Sequence, residues 1–160
     1  MAYIHDLRQK VGHTPLIMTS ASGALVEDGR ILLQERADTG DWGFPGGYME
    51  YGDTFKQTVV REFLEDAGIA VTPVKLLAIQ DDDFYTYPNG DAVQPVNAFY
   101  LVERVHDRQQ TPKPSETLTT KFFAPTEAPH FFNQQHAKMW QLVVATLAQS
   151  VSYTHLRAHE

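Results

Sequence analysis

Residues 42–69 read WGFPGGYMEYGDTFKQTVVREFLEDAGI, and the local chemistry of that stretch sets the organisation of everything around it. Thr54-Phe55-Lys56-Gln57 fits a capping box, in which the threonine oxygen accepts from the third helical amide while the glutamine reaches back. No Gly or Pro interrupts the run to Ala67, and Gly68 suits the left-handed position that ends a helix. Phe55, Val59 and Phe63 recur every four residues and form a plausible core stripe. At 100° per residue, Glu62, Glu65 and Asp66 fall within a wedge of about 100° on the same helix. Three carboxylates so close repel one another unless a positive charge sits among them. An oxygen-only donor set suits a hard cation, Mg²⁺ or Mn²⁺ before Ca²⁺. Arg61, one turn before Glu65, can hold a carboxylate's orientation. Upstream, Gly46-Gly47 lets the backbone pass close to a ligand and aim a carbonyl or amide at it.

Working outward, two turn signals punctuate the chain. Asp28-Gly29 separates the apolar runs 21–27 and 30–36, and Asn89-Gly90 separates 76–87 from 92–105. Both dipeptides supply the positive φ of tight hairpins, although Pro88 allows a longer loop at the second. Either form gives antiparallel strands. A second helix is expected from about Asn133 to Gln149, where Trp140, Val143, Val144 and Leu147 follow the amphipathic spacing. Residues 107–120, stiffened by Pro112 and Pro114, read as a polar loop leading into a strand at 121–124. Residues 151–160 show no periodicity and resemble translated adaptor sequence, so 1–150 is expected to form a single domain. The fold class is α/β (α+β), with a mixed, largely antiparallel sheet.

Composition narrows the function. Of 160 residues, nine Phe, seven Tyr and two Trp supply an interior and argue against disorder. A net charge of −7 disfavours binding to nucleic acid polymers and calls for a cation if the substrate is anionic. With no cysteine, thiol catalysis and Cys-ligated metals are excluded. No apolar run approaches the ~20 residues that span a bilayer, and the N-terminus lacks a signal-peptide pattern, so a cytoplasmic protein is expected.

The spacing Gly47, five residues, Asp53, seven residues, Arg61-Glu62-Phe63-Leu64-Glu65-Asp66-Ala67-Gly68-Ile69 resembles the Nudix box of the Nudix (MutT-like) hydrolases. That resemblance implies an α/β/α sandwich and a pyrophosphatase: metal-dependent hydrolysis of a nucleoside diphosphate linked to another moiety. ADP-ribose or a nucleotide sugar is the first expectation for the substrate, and nucleoside triphosphates the second. It places Glu62, Glu65, Asp66 and the Gly46 carbonyl at the metal-ligand positions, with Mg²⁺ or Mn²⁺ as cofactor. Arg61 matches the arginine that orients the neighbouring acids, with Asp53 among its partners. Asp53 and Asp66 stand where the box has glutamates; a shortened Asp66 would reach a metal through water. For the general base Glu62 is the first expectation and Glu116, in the polar loop, the second. The rival is a Nudix-like module that binds a nucleotide without cutting it.

Other residues carry two readings each. Trp42 stacks a base or anchors the core. Gly47 makes a close approach to substrate or an ordinary turn. Phe84, Tyr85 and Tyr87 line a base or sugar pocket or form a homodimer contact, since aromatics favour interfaces. Asp81-Asp82-Asp83 alternates sides on a strand and reads as a solvated strand end. The seven histidines lack metal spacing and read as surface or packing residues.

Overall fold

The computed structural model describes residues 2–109 and 116–157. Its elements are α1 (Ala2–Val11), β1 (Leu16–Glu27), β2 (Arg30–Arg36), β3 (Trp42–Gly43), β4 (Gly46–Tyr48), α2 (Phe55–Ala67), β5 (Ile69–Gln80), β6 (Tyr85–Thr86), β7 (Ala92–Gln109), β8 (Thr117–Phe123) and α3 (Gln134–Arg157). Among the described residues, no helix is long and apolar enough to cross a membrane.

The strands run in the order β3-β2-β1-β7-β5, with β4 added to β1, β6 to β7 and β8 to β2. All pairings are antiparallel except the central one, where β1 and β7 run parallel from Leu16 opposite Val93 to Leu25 opposite Val102. Side-chain alternation on β1 then decides the layers. Ala21 and Leu25 face α2, packing with Val59, Phe63 and Val102. Ala24 faces α3, packing with Phe44, Phe99, Met139, Trp140 and Val143. The sheet therefore lies between α2 and α3, an α/β/α sandwich as expected.

The first hairpin forms as read: Asp28 and Gly29 sit at φ 52° and 72°, two consecutive left-handed residues that match the twist of the flanking strands. The capping box on α2 is complete, and Gly68 at φ 70° donates its N–H to the Leu64 carbonyl at 3.0 Å. The run 76–87 breaks into β5 and β6, both antiparallel to β7. That break corrects the reading of Asp83. It turns inward and is buried, its Oδ1 2.9 Å from Lys138 Nζ on α3, while Asp82 stays exposed.

Three further elements differ from expectation. β7 continues to Gln109 and β8 begins at Thr117, so the loop is shorter than 107–120; Pro112 and Pro114 lie outside the described residues. α3 keeps helical backbone past Gln149 to Arg157, and residues 158–160 lie outside the described set. α1 is new. Ile4, Leu7, Arg8 and Val11 form its half-buried face, and Gly12 at φ 64° caps it by donating to the Arg8 carbonyl at 2.7 Å. Ile4 packs against the buried cluster of Met18, Tyr48 and Val93.

Candidate active site

Glycines make the site's geometry available. A Cβ on Gly47 would lie 2.5 Å from Glu62 Cδ, so only glycine in β4 leaves room for that carboxylate. Glu62, on the inner side of α2, is 1% exposed. Arg61 Nη1 donates to Glu62 Oε1 at 2.8 Å, and Arg61 Nη2 lies 3.3 Å from both Asp53 Oδ2 and the Tyr48 carbonyl. The guanidinium thus fixes Glu62 against β4, and Asp53 holds the guanidinium from behind.

Asp66, one turn along, is also buried. Its Oδ2 accepts from the Gly46 N–H and from Gln34 Nε2, both at 3.1 Å. Gln34 is held in turn by Thr117 Oγ1, which donates to its Oε1 at 2.6 Å. Both bonds converge on Oδ2 and leave Oδ1 without a bond among the described residues. The shortened side chain is therefore a rigidly held member of the site.

The turn before β8 brings Glu116 to the same place. One carboxylate oxygen each from Glu62, Asp66 and Glu116 lie within 4.8 Å of one another. Glu65 does not join that triangle; it is half-buried, with its charge acting on Arg61. Burial pushes the Glu62 carboxyl up to about 8, with repulsion from Asp66 adding to it and Arg61 opposing. Asp66 rises to about 7, again through burial first, against the stabilising Gly46 N–H and Gln34 bonds. Two buried acids at this proximity are costly as anions, and a cation between them removes the cost. The donors are all oxygen, which fits a hard divalent ion.

Beside the triangle opens a cavity of about 290 Å³. Gly46, Gly47, Glu62, Asp66 and Glu116 line one end. Tyr48, Tyr85, Tyr87, Phe132 and Arg36 line the side. Arg36 is clamped by Asp38 through two 2.9 Å bonds, and its guanidinium carbon lies 4.1 Å from the Phe132 ring centre. Tyr48 and Tyr87 share a hydroxyl contact of 2.7 Å. His136 Nδ1 accepts from the Phe44 N–H at 2.9 Å, so the neutral ring carries its proton on Nε2. Burial, reinforced by Arg36, holds that imidazole down to about 3.

Of the residues read from the sequence, Glu62, Asp66, Glu116, Gly46, Gly47, Tyr85 and Tyr87 meet at this cavity. Arg61 and Asp53 support it from behind. Trp42 does not line it: its ring packs edge-on against Phe123 at 4.9 Å, which makes it a core anchor. Phe84, 78% exposed, also lies outside it. His136 is a packing residue whose ring reaches the cavity wall. Sequence reading missed Gln34, Arg36, Ser20, Ser22, Asn97 and Phe132. They come from β1, β2, β7 and the segment before α3, and only the folded sheet brings them together.

Comparison with known proteins agrees with this geometry. The family model described as NUDIX domain matches residues 18–143. A MutT-like protein of Streptomyces ambofaciens is 40% identical over 72 residues, covering 44% of this chain and 47% of its own. An ADP-ribose pyrophosphatase of Methanocaldococcus jannaschii is 32% identical over 75 residues, 45% of this chain and 41% of its own. The matched stretches thus span less than half the length of these curated relatives. Among solved structures, a MutT NUDIX hydrolase from Burkholderia pseudomallei superposes with a TM-score of 0.66 at 27% identity, covering 79% of this chain and 98% of that one. An ADP-ribose pyrophosphatase from Streptococcus suis shares the fold at a TM-score of 0.64 and 23% identity, covering 81% and 90%. The family match runs over most of the chain and includes every member of the carboxylate triangle, and the protein belongs to the NUDIX domain family.

Proposed function

We propose that this chain is a metal-dependent pyrophosphohydrolase. Its substrate class is a nucleoside diphosphate joined to a second moiety, with ADP-ribose or a nucleotide sugar ahead of nucleoside triphosphates. The observation that carries the reading is the triangle of Glu62, Asp66 and Glu116 opening onto a cavity of about 290 Å³. ADP-ribose pyrophosphatases among the relatives and fold neighbours support the substrate order.

Glu62 and Asp66 would hold Mg²⁺ or Mn²⁺, with Glu65 and the Gly46 carbonyl as the further donors that the family resemblance assigns. A divalent cation held there supplies Lewis-acid charge to the diphosphate oxygens. Arg61 keeps the Glu62 carboxylate in one orientation, so the site is organised before substrate arrives. Glu116 is the exposed member of the triangle, facing the cavity from the opposite element. It takes the proton of the attacking water and passes it to solvent, whereas one Glu62 oxygen is already committed to Arg61. The water oxygen bonds to phosphorus, the bridging P–O bond breaks, and a nucleoside monophosphate leaves with the phosphorylated second moiety.

The test is hydrolysis by purified protein of ADP-ribose, nucleotide sugars, dinucleotides and nucleoside triphosphates in ¹⁸O water. Metal-dependent release of a labelled monophosphate is the expected result. Tight, metal-dependent nucleotide binding without product would instead make the chain a sensor.

A further inference from the structure

The cavity floor has a hydrogen-bond polarity set by a backbone carbonyl at its far end. Gln80 Nε2 donates to the Gln135 carbonyl at 3.4 Å, and a carbonyl oxygen can only accept. That bond turns the Gln80 Oε1 towards Asn97, whose Nδ2 donates to it at 3.4 Å. The opposite end of the Asn97 amide, Oδ1, therefore faces β1. There it accepts from both Ser20 Oγ at 2.9 Å and Ser22 Oγ at 3.1 Å. Each serine has one proton, and each spends it on Asn97. Both serines line the cavity, and with its proton spent each hydroxyl can meet a ligand with lone pairs alone.

We infer that Ser20 and Ser22 form an acceptor-only subsite for a donor-bearing group of the substrate, the hydroxyls of a sugar or the N–H groups of a base, and that this subsite turns away phosphate. The inference rests on the proposed hydrolase reading for the word substrate, but its physical content is binding. Asn97 is a positioning residue: it aims the two hydroxyls without reaching the ligand through its committed oxygen. All three side chains are buried, so water cannot easily replace a missing partner. A phosphate oxygen placed on this floor would set lone pair against lone pair. Its place is by the carboxylates and their cation, past Gly46, which pairs with Ser22 between β4 and β1.

The probes are ADP-glucose, UDP-glucose and inorganic pyrophosphate, titrated by calorimetry in Ca²⁺, the poorer catalytic cation, with steady-state turnover in Mg²⁺ measured alongside. Ser20→Ala and Ser22→Ala should each weaken both nucleotide sugars about five- to tenfold, the worth of one buried hydrogen bond, and leave pyrophosphate unchanged. In turnover the loss should appear in KM and not in kcat. Equal losses for ADP-glucose and UDP-glucose assign the floor to the sugar; a loss for only one of them assigns it to the base. Asn97→Leu frees the two protons and should bring pyrophosphate and the sugars closer in affinity; if it fails to fold, the serine variants decide alone. Unchanged titrations, an equal loss for pyrophosphate, or no binding of either sugar by the parent protein would overturn the subsite. Absence of turnover with the titration pattern intact would overturn the hydrolase reading and leave the subsite standing.

Discussion

Glu62 and Asp66 stay protonated to higher pH than free carboxylic acids, and the sign of the consequence for stability follows by linkage. Their folded-state values of about 8 and about 7 lie above the ordinary 4.5 and 3.8. Between those limits the folded chain binds more protons than the unfolded one, so without metal their contribution to stability falls as pH rises. It is fully present below about pH 4 and lost by about pH 8, with a slope of up to about 1.4 kcal/mol per pH unit for each group. Glu62→Gln should therefore gain stability relative to the parent chain between pH 5 and 8 in chelator, as read by urea unfolding. A constant difference across that range would contradict the assignment. Gly47→Ala tests the close approach. The new methyl would sit 2.5 Å from Glu62 Cδ, and turnover should fall by about two orders of magnitude while the fold survives. At this scale the sequence was most informative where partners lie close along the chain. Arg61, Glu62, Gly47 and Asp53 fall within one short stretch, and their proximity could be read from it. The constraint on Asp66 comes from Gln34 on β2, and nothing local announces that pairing.

α2 was readable because a helix carries its own punctuation: the Thr54–Gln57 box and Gly68 need no tertiary partner to be recognised. β3 and β4 carry none. They are two and three residues long and exist because β2 and β1 pair with them. The parallel contact of β1 with β7 is equally silent, since its partners lie far apart in the chain. α1 was missed although Ile4, Leu7 and Val11 stand at helical spacing. Its short length and polar background hid the face. Arg8 joins it to the body, with Nη1 donating to the Gly12 and Thr14 carbonyls and Nη2 to the Ala92 carbonyl at 2.8 Å. Arg8→Ala should cost about 2 kcal/mol in denaturant unfolding. Because Ile4 and Arg8 also line the cavity, the variant should raise KM more than it lowers kcat. A change confined to kcat would separate α1 from substrate binding.

The whole molecule places α2 with its acids on one side of the sheet and α3 with His136 and Gln135 on the other, and the cavity reaches both. A net charge of −7 surrounds an acidic triangle with two buried members, so binding of a divalent ion relieves repulsion at two ranges at once. Mg²⁺ or Mn²⁺ should raise the melting temperature of the parent chain in proportion to the logarithm of its concentration, and Glu62→Gln should blunt that rise. The layered architecture and the acidic helix could be read from residues 42–69, whereas the contents of the cavity could not. Those come from five strands and all three helices, and only the folded chain sets them side by side. The most direct measurement is turnover of ADP-ribose by the parent chain and by Glu62→Gln, each with Mg²⁺ and with chelator. Release of AMP by the parent chain in Mg²⁺, falling at least a hundredfold in chelator and in the variant, is the expected result. Turnover that survives either change, or none from the parent chain on any diphosphate tried, would contradict the account.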